Sequence, residues 1–320
     1  MKKGITVAGS ILVDKINVID GFPKSGELTQ IRSLGRAAGG CVPNVGIDLK
    51  KIRPELDVYA CGRVGADDEG EFVKQTLKAA GVDVGGVVTD GADKTSFTEV
   101  MSVRGGERTF FTYAGASAAF GLSDMDFDGE RTEMLHLGYF LLLDKVDGGD
   151  GLEILKRAKA AGVKTSIDMV SENSDRYSVI APCLAYTDNL IVNEIEAGKI
   201  AGIEPSAENV RKIAEKLKSL GVRERVIIHC PAFGACFDGE VYTEVESYRL
   251  PDGYIKGTTG AGDAFCAGAL AGIYYGYGDE KILRTAAGVA AASLSAEDAT
   301  SGVVSESETE KLIEKICKKK

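Results

Sequence analysis

In the C-terminal half of this 320-residue chain, the stretch Gly257-Thr258-Thr259-Gly260-Ala261-Gly262-Asp263-Ala264-Phe265 combines small side chains with a single carboxylate. Gly260 and Gly262 can take backbone conformations closed to residues with a Cβ, which lets the main chain come very close to a ligand. Residues 263–275 are rich in Ala, Leu, Phe and Ile and predict a buried helix. A glycine turn feeding a helix N-terminus aims unpaired N–H groups at one point, where the helix dipole also favours an anion. The amides of Gly260, Ala261, Gly262 and Asp263 would form that anion hole. The Asp263 carboxylate at its mouth would repel a bound phosphate. That placement makes chemical sense if Asp263 takes a proton from a hydroxyl attacking phosphorus. A tight turn with Asp263 as helix N-cap fits the same residues. No Gly-Lys-Ser/Thr follows, so this is not a P-loop, and it lies too late in the chain for a dinucleotide fingerprint.

Such a turn needs a scaffold. Residues 3–13, 58–62, 134–139, 164–168, 189–192 and 225–229 predict buried strands, and residues 42–51, 70–80, 151–161, 207–221 and 263–275 predict helices. Gly81, Gly162 and Gly221 each follow a helical stretch and precede Val, which is the signature of a helix-to-strand loop. This alternation predicts an α/β fold: a doubly wound, mostly parallel sheet with helices on both faces. Residues 14–36 and 95–113 interrupt the alternation. The second insert predicts a hairpin, 96–103 with 108–113, turning at Arg104-Gly105-Gly106-Glu107. The two inserts suggest a small β-sheet lid, with ordinary surface hairpins as the alternative. Without repeats or a linker, residues 1–320 read as one domain.

Bulk composition narrows the partners. Lys plus Arg is 38 against 48 for Asp plus Glu, and the net charge of −10 argues against nucleic acid or an anionic membrane. The longest apolar run, 134–143, is interrupted by His136 and Gly138 and is too short to span a bilayer. The Met1-Lys2-Lys3 start imitates a signal peptide, but Asp14 cuts the apolar run short. Seven cysteines without C-x-x-C spacing suggest free thiols and a cytoplasmic location. With only His136 and His229 present, the composition argues against zinc.

Four patterns then occur in order: Gly9-Ser10 followed by Asp14; Gly39-Gly40-Cys41-Val42-Pro43-Asn44; Asn193-Glu194-Ile195-Glu196; and Gly260-Ala261-Gly262-Asp263. Together with the alternating units and lid-like inserts, they resemble the ribokinase-like (PfkB) carbohydrate kinase family over essentially the whole chain. Physically, Asp14 would end the first strand, at the edge where α/β sheets bind ligands. Asn44 offers both a donor and an acceptor.

The resemblance implies in-line transfer of a phosphoryl group from ATP to a hydroxyl of a free monosaccharide. Asp14, Gly39, Gly40 and Asn44 would hold the acceptor, and Asp263 would be the base. Thr258, His229 and Gly234 would border the nucleotide. Asn193 and Glu196 would organise Mg2+ and phosphates largely through water, as suits a cation reluctant to dehydrate. Helix-dipole reasoning makes Asp263 a weak base, tolerable where proton transfer comes late. Phe110, Phe111 and Tyr113 would exclude water, and Phe97, Phe110 and Phe111 suggest a homodimer through the lid. A nucleoside acceptor, or a non-catalytic sensor of sugar or nucleotide, are the alternatives.

Three departures from the family pattern stand out. Gly257 replaces an Asp associated with a monovalent-cation site, leaving potassium activation open. Pro231 supplies no N–H in a loop beside the nucleotide. Cys41 replaces a Lys, which favours an unphosphorylated acceptor.

Overall fold

A computed structural model describes residues 4–104, 108–127 and 131–317. Its strands are β1 (Ile5–Gly9), β2 (Leu12–Ile19), β3 (Ile31–Gly39), β4 (Val58–Gly65), β5 (Asp83–Asp90), β6 (Ser96–Val103), β7 (Arg108–Tyr113), β8 (Met134–Phe140), β9 (Lys164–Met169), β10 (Asn189–Asn193), β11 (Arg225–His229), β12 (Phe233–Phe237) and β13 (Tyr242–Glu246). Its α-helices are α1 (Cys41–Ile52), α2 (Asp68–Ala79), α3 (Gly115–Ala118), α4 (Gly151–Ala160), α5 (Glu194–Ala201), α6 (Val210–Ser219), α7 (Ala261–Tyr274), α8 (Asp279–Ser293) and α9 (Glu306–Cys317).

Nine strands form one sheet in the order β13-β12-β11-β10-β9-β8-β1-β4-β5. It is parallel from β11 to β5, with β12 and β13 added antiparallel at one edge. Alternate residues supply two cores. Ile5 and Val7 of β1, Ile191 of β10 and Ile227 of β11 pack with α1, α7 and α8. Ala8, Leu190, Val192, Val226 and Ile228 face the other way and pack with α4, α5 and α6. Side chains wholly removed from water on each face, such as Ile5 and Leu137, each contribute about 1.5–3 kcal/mol of transfer free energy. Among the described residues no helix is long and apolar enough to cross a membrane.

The lid is a second sheet of four strands, β3-β2-β6-β7, built from the two inserts. Both arms of the expected hairpin are present; residues 105–107 of its turn lie outside the described residues.

The single strand expected over 3–13 is instead two. β1 ends at Gly9, whose φ of 136° turns the chain out of the main sheet, and β2 starts three residues later in the lid. The Ser117 hydroxyl donates to the Ile11 carbonyl and accepts from its N–H, pinning the corner. Asp14 therefore belongs to the lid rather than to the end of the first strand.

Candidate active site

α7 starts where the glycine turn releases the chain. Gly260 is its N-cap, with φ 77°, and a Cβ there would collide with Ala299. Asp263 is thus not the cap but the third residue of the helix. The residue is 7 % exposed. Oδ2 accepts from Asn44 Nδ2 at 2.8 Å, and the Tyr139 hydroxyl lies 2.9 Å from both oxygens. Ala261 N–H reaches back to Thr258 O at 3.3 Å, while among the described residues the amides of Gly262 and Asp263 find no protein acceptor.

Burial, followed by the charge of Asp168, pushes the Asp263 carboxyl up to about 7, against the hydrogen bonds from Asn44 and Tyr139. This overturns the weak base expected from the helix dipole. Removing the carboxylate from water outweighs the partial charge of the helix end.

Asn44 is 4 % exposed on α1, and its Oδ1 has no partner among the described residues. A buried acceptor left unpaired is costly, so it marks a place for a ligand's donor. α1 begins after Gly40, whose φ of 87° and close approach to the Ser10 carbonyl exclude a side chain. Gly39, the last residue of β3, leaves room for the carboxylate of Asp14, and a Cβ there would collide with it. Burial pushes Asp14 up to about 6, opposed by the positive charge of Arg108. Arg108, on lid strand β7, also donates to the Thr259 hydroxyl and, at 3.5 Å, to the Glu297 carbonyl. Lid and glycine turn are thereby tied together.

Asn193 and Glu196 form a reciprocal cap on α5. Asn193 Oδ1 accepts from the amides of Ile195 and Glu196, and Glu196 Oε2 accepts from Asn193 N–H. Glu196 is not a surface acid: it is buried, accepts from Ser171 Oγ at 2.8 Å, and burial pushes it up to about 7. With Tyr139, Asp168, Ser171, His229 and Asp263 the pair lines a cavity of ≈ 180 Å3. A larger cavity, ≈ 610 Å3, adjoins it at Asn193, His229 and Gly262. Thr258, Ala261, Tyr248, Leu250, Ile255 and Phe265 are among its lining residues.

His229 ends β11 with its ring 4.8 Å from that of Phe265, and burial drives its pKa down to about 4, so the imidazole is neutral. Gly234 is not brought to either cavity. It pairs with His229 inside the β11–β12 ladder and packs against Phe265. Gly257 abuts the carbonyls of Ala296 and Glu297, which leave no space for a longer side chain.

Two functional candidates escaped sequence reasoning. Tyr139 sits at the end of β8 with φ 64°, a left-handed conformation costly for a tyrosine and held by its N–H donating to Asp168 Oδ1 at 2.6 Å. Arg108 could have been suspected only as a lone cation in an otherwise uncharged lid strand.

The pfkB family carbohydrate kinase profile matches residues 2–306. The chain is 26 % identical to Arabidopsis thaliana ribokinase over 293 residues, covering 91 % of this chain and 75 % of that protein. It is 27 % identical to fructokinase-1 of Oryza sativa subsp. japonica, covering 82 % and 80 %. To the ATP-dependent ribose-1-phosphate kinase of Halopiger xanaduensis it is 29 % identical, covering 82 % of each. The structure of the Arabidopsis ribokinase complexed with ribose and ATP superposes with a TM-score of 0.85 at 24 % identity, covering 98 % of this chain and 99 % of that one. Motifs, lid and sheet order thus agree with a match over nearly the whole length: the chain belongs to the pfkB family of carbohydrate kinases, which transfer a phosphoryl group from ATP to an alcohol.

Proposed function

We propose that this enzyme phosphorylates a hydroxyl of a free monosaccharide, with Asp263 as general base. The observation that carries the reading is one constellation: a buried carboxylate near neutrality in its titration, the unpaired Oδ1 of Asn44 beside it, and free amides at the start of the same helix. Two other hydroxyls of the acceptor would donate to Asn44 Oδ1 and to Asp14, and the reacting hydroxyl would face Asp263. As that oxygen bonds to the γ-phosphorus, the bond from phosphorus to the departing ADP oxygen breaks and the hydroxyl proton passes to Asp263. The amides of Gly262 and Asp263 receive charge on the group in transfer, where electrostatic preorganisation counts most.

The apolar wall of the larger cavity, Leu250, Ile255 and Leu294, suits the face of a nucleobase, and the neutral His229 can donate one hydrogen bond to a phosphate. Glu196, with Asn193 and Ser171, presents oxygen donors that fit Mg2+ held through water, and the ion would neutralise phosphate charge.

An unphosphorylated sugar is favoured because the buried Cys41 supplies no cation, while Arg108 is engaged with Thr259. The relatives named ribokinase, fructokinase and ribose-1-phosphate kinase differ in acceptor, so a panel must name the substrate. Phe110 and Phe111 are more than half exposed on the lid, consistent with pairing of two lids in a dimer. The buried free thiols fit a reducing, cytoplasmic setting.

The test is coupled-assay turnover over sugars, sugar phosphates and nucleosides, repeated with Asp263→Asn. The variant should bind ATP and acceptor yet lose ~10²–10⁴ in turnover. Near-normal turnover would remove Asp263 as the base, and activity on nucleosides alone would replace the sugar reading.

A further inference from the structure

Behind Asp263, on the sheet face covered by α1 and α7, a polar cluster occupies ground that should be apolar. The alternation of β8 turns Met134, His136 and Gly138 toward these helices, and β9 turns Ser166 and Asp168 the same way. Cys41, the first residue of α1, and Cys266, in the second turn of α7, come down onto them. One donor atom each from Cys41, His136 and Asp168 lie within 4.8 Å of one another. Cys266 Sγ lies 3.6 Å from His136 Nε2, and Asp168 Oδ2 lies 3.2 Å from the same nitrogen. All four residues are buried.

The two spacings from His136 Nε2 are those of ligands around one ion. In a tetrahedral site with metal–nitrogen and metal–oxygen bonds of ~2.0–2.1 Å and metal–sulfur bonds of ~2.3 Å, nitrogen and oxygen sit ~3.3 Å apart and nitrogen and sulfur ~3.6 Å apart. The surroundings orient the donors. His136 Nδ1 is 3.0 Å from Ser166 Oγ, leaving Nε2 to face the cluster, and Asp168 Oδ1 is taken by the Tyr139 N–H, leaving Oδ2. Outer partners of this kind fix the ring and carboxylate of metal ligands. Gly138 contributes by having no side chain, since a Cβ there would collide with Cys41 Sγ.

We infer that Cys41, His136, Asp168 and Cys266 form a site for a thiophilic divalent cation of the Zn2+ class, at the wall of the cavity that Asp168 and Cys266 share with Glu196 and Asp263. Two sulfurs and an imidazole select such an ion over Mg2+. Each thiol that coordinates gives its proton to solvent. Counting histidines alone pointed away from zinc; the missing ligands are cysteines that the fold gathers from opposite ends of the chain. The site has a mechanical consequence. Cys41 and Asn44 are three residues apart on α1, as are Asp263 and Cys266 on α7, so each pair shares a helix face. An ion would clamp together the two helix ends whose side chains meet in the Asn44–Asp263 hydrogen bond.

The test uses the full chain, stripped with a chelator and titrated with Co2+. One equivalent should bind per chain, with a thiolate-to-cobalt charge-transfer band and the intense visible absorption of tetrahedral cobalt. One equivalent of Zn2+ should displace it, and excess Mg2+ should not. The double variant Cys41→Ser, Cys266→Ser should lose the charge-transfer band and weaken Co2+ binding ~100-fold or more, whereas Cys183→Ser should keep both. Absence of uptake, the weak spectrum of six-coordinate cobalt, or a band surviving in the double variant overturns the site and leaves a plain His136–Asp168 hydrogen bond. Should the double variant fail to fold, the spectrum of the unaltered protein and of His136→Gln decides by the same criteria.

Discussion

The hydroxyl of Tyr139 lies 2.9 Å from each carboxylate oxygen of Asp263, though the two residues are 124 positions apart. Its single proton is shared between them, and Asn44 adds a second donor. These two hydrogen bonds hold down a carboxyl that burial and Asp168 drive upward, and the balance falls at about 7. A base in that range is ionised in a large fraction of molecules at neutral pH yet strong enough to receive a proton.

Removing one donor should therefore move the pH dependence in a known direction. The acid limb of kcat/KM, which reports the free enzyme, should fall away below pH about 7 in the unaltered protein. In Tyr139→Phe the ionised form loses a hydrogen bond worth about 1.5–3 kcal/mol in such settings, so the limb should move up by about one pH unit or more. Activity should largely recover at pH 9. A pH profile with an unmoved limb would detach Tyr139 from the base.

Asp48 allows a test of stability apart from chemistry. It lies on α1, wholly buried, with neither carboxylate oxygen hydrogen-bonded among the described residues, and burial followed by the charge of Asp263 raises its pKa well above the usual value. A raised folded-state pKa means that the protonated form fits the fold. Its contribution is fully present below the unfolded carboxyl's pKa of about 4 and is lost as pH rises through the folded value. Asp48→Asn, neutral at every pH, should melt higher than the unaltered protein at pH 7, by ~2–4 °C for each kcal/mol recovered. The gap should close toward pH 4. Scanning calorimetry at the two pH values checks this, and equal melting temperatures at pH 7 would show that Asp48 carries no such cost.

What could be read from the chain and what could not divides along sequence distance. The 96–103 and 108–113 strands announce themselves by local composition, and the Gly260 turn by its glycines, because these depend on neighbours. The corner after Gly9 hides inside a largely apolar stretch, since Ser117, which secures it, is 106 residues away from Ile11. The pairing of Gly234 with His229 in the β11–β12 ladder is likewise a partnership that its local motif does not show. The ionisation of Asp263 is hidden from the sequence for the same reason. The helix dipole is visible locally, whereas burial under Asn44 and Tyr139 and the charge of Asp168 exist only after folding.

Arg108 ties the lid to Thr259 and acts on Asp14 of the proposed acceptor site, and the two roles can be separated. Its charge opposes the burial that brings Asp14 to about 6, and its guanidinium ties β7 to Thr259. In Arg108→Met the Asp14 carboxyl should titrate higher, so that at pH 6–7 more of it is protonated and unable to accept two hydroxyl protons from the sugar. Acceptor affinity, measured by calorimetry, should fall most at pH 6 and recover in part by pH 8, where the carboxylate is again ionised. The loss that persists at pH 8 measures the tether to Thr259. Asp14→Asn supplies the reference, because without a titrating group there the affinity should no longer climb between pH 5 and 7. A loss in Arg108→Met that is identical at every pH would assign the arginine to the tether alone, and unaltered affinity throughout would deny it both roles.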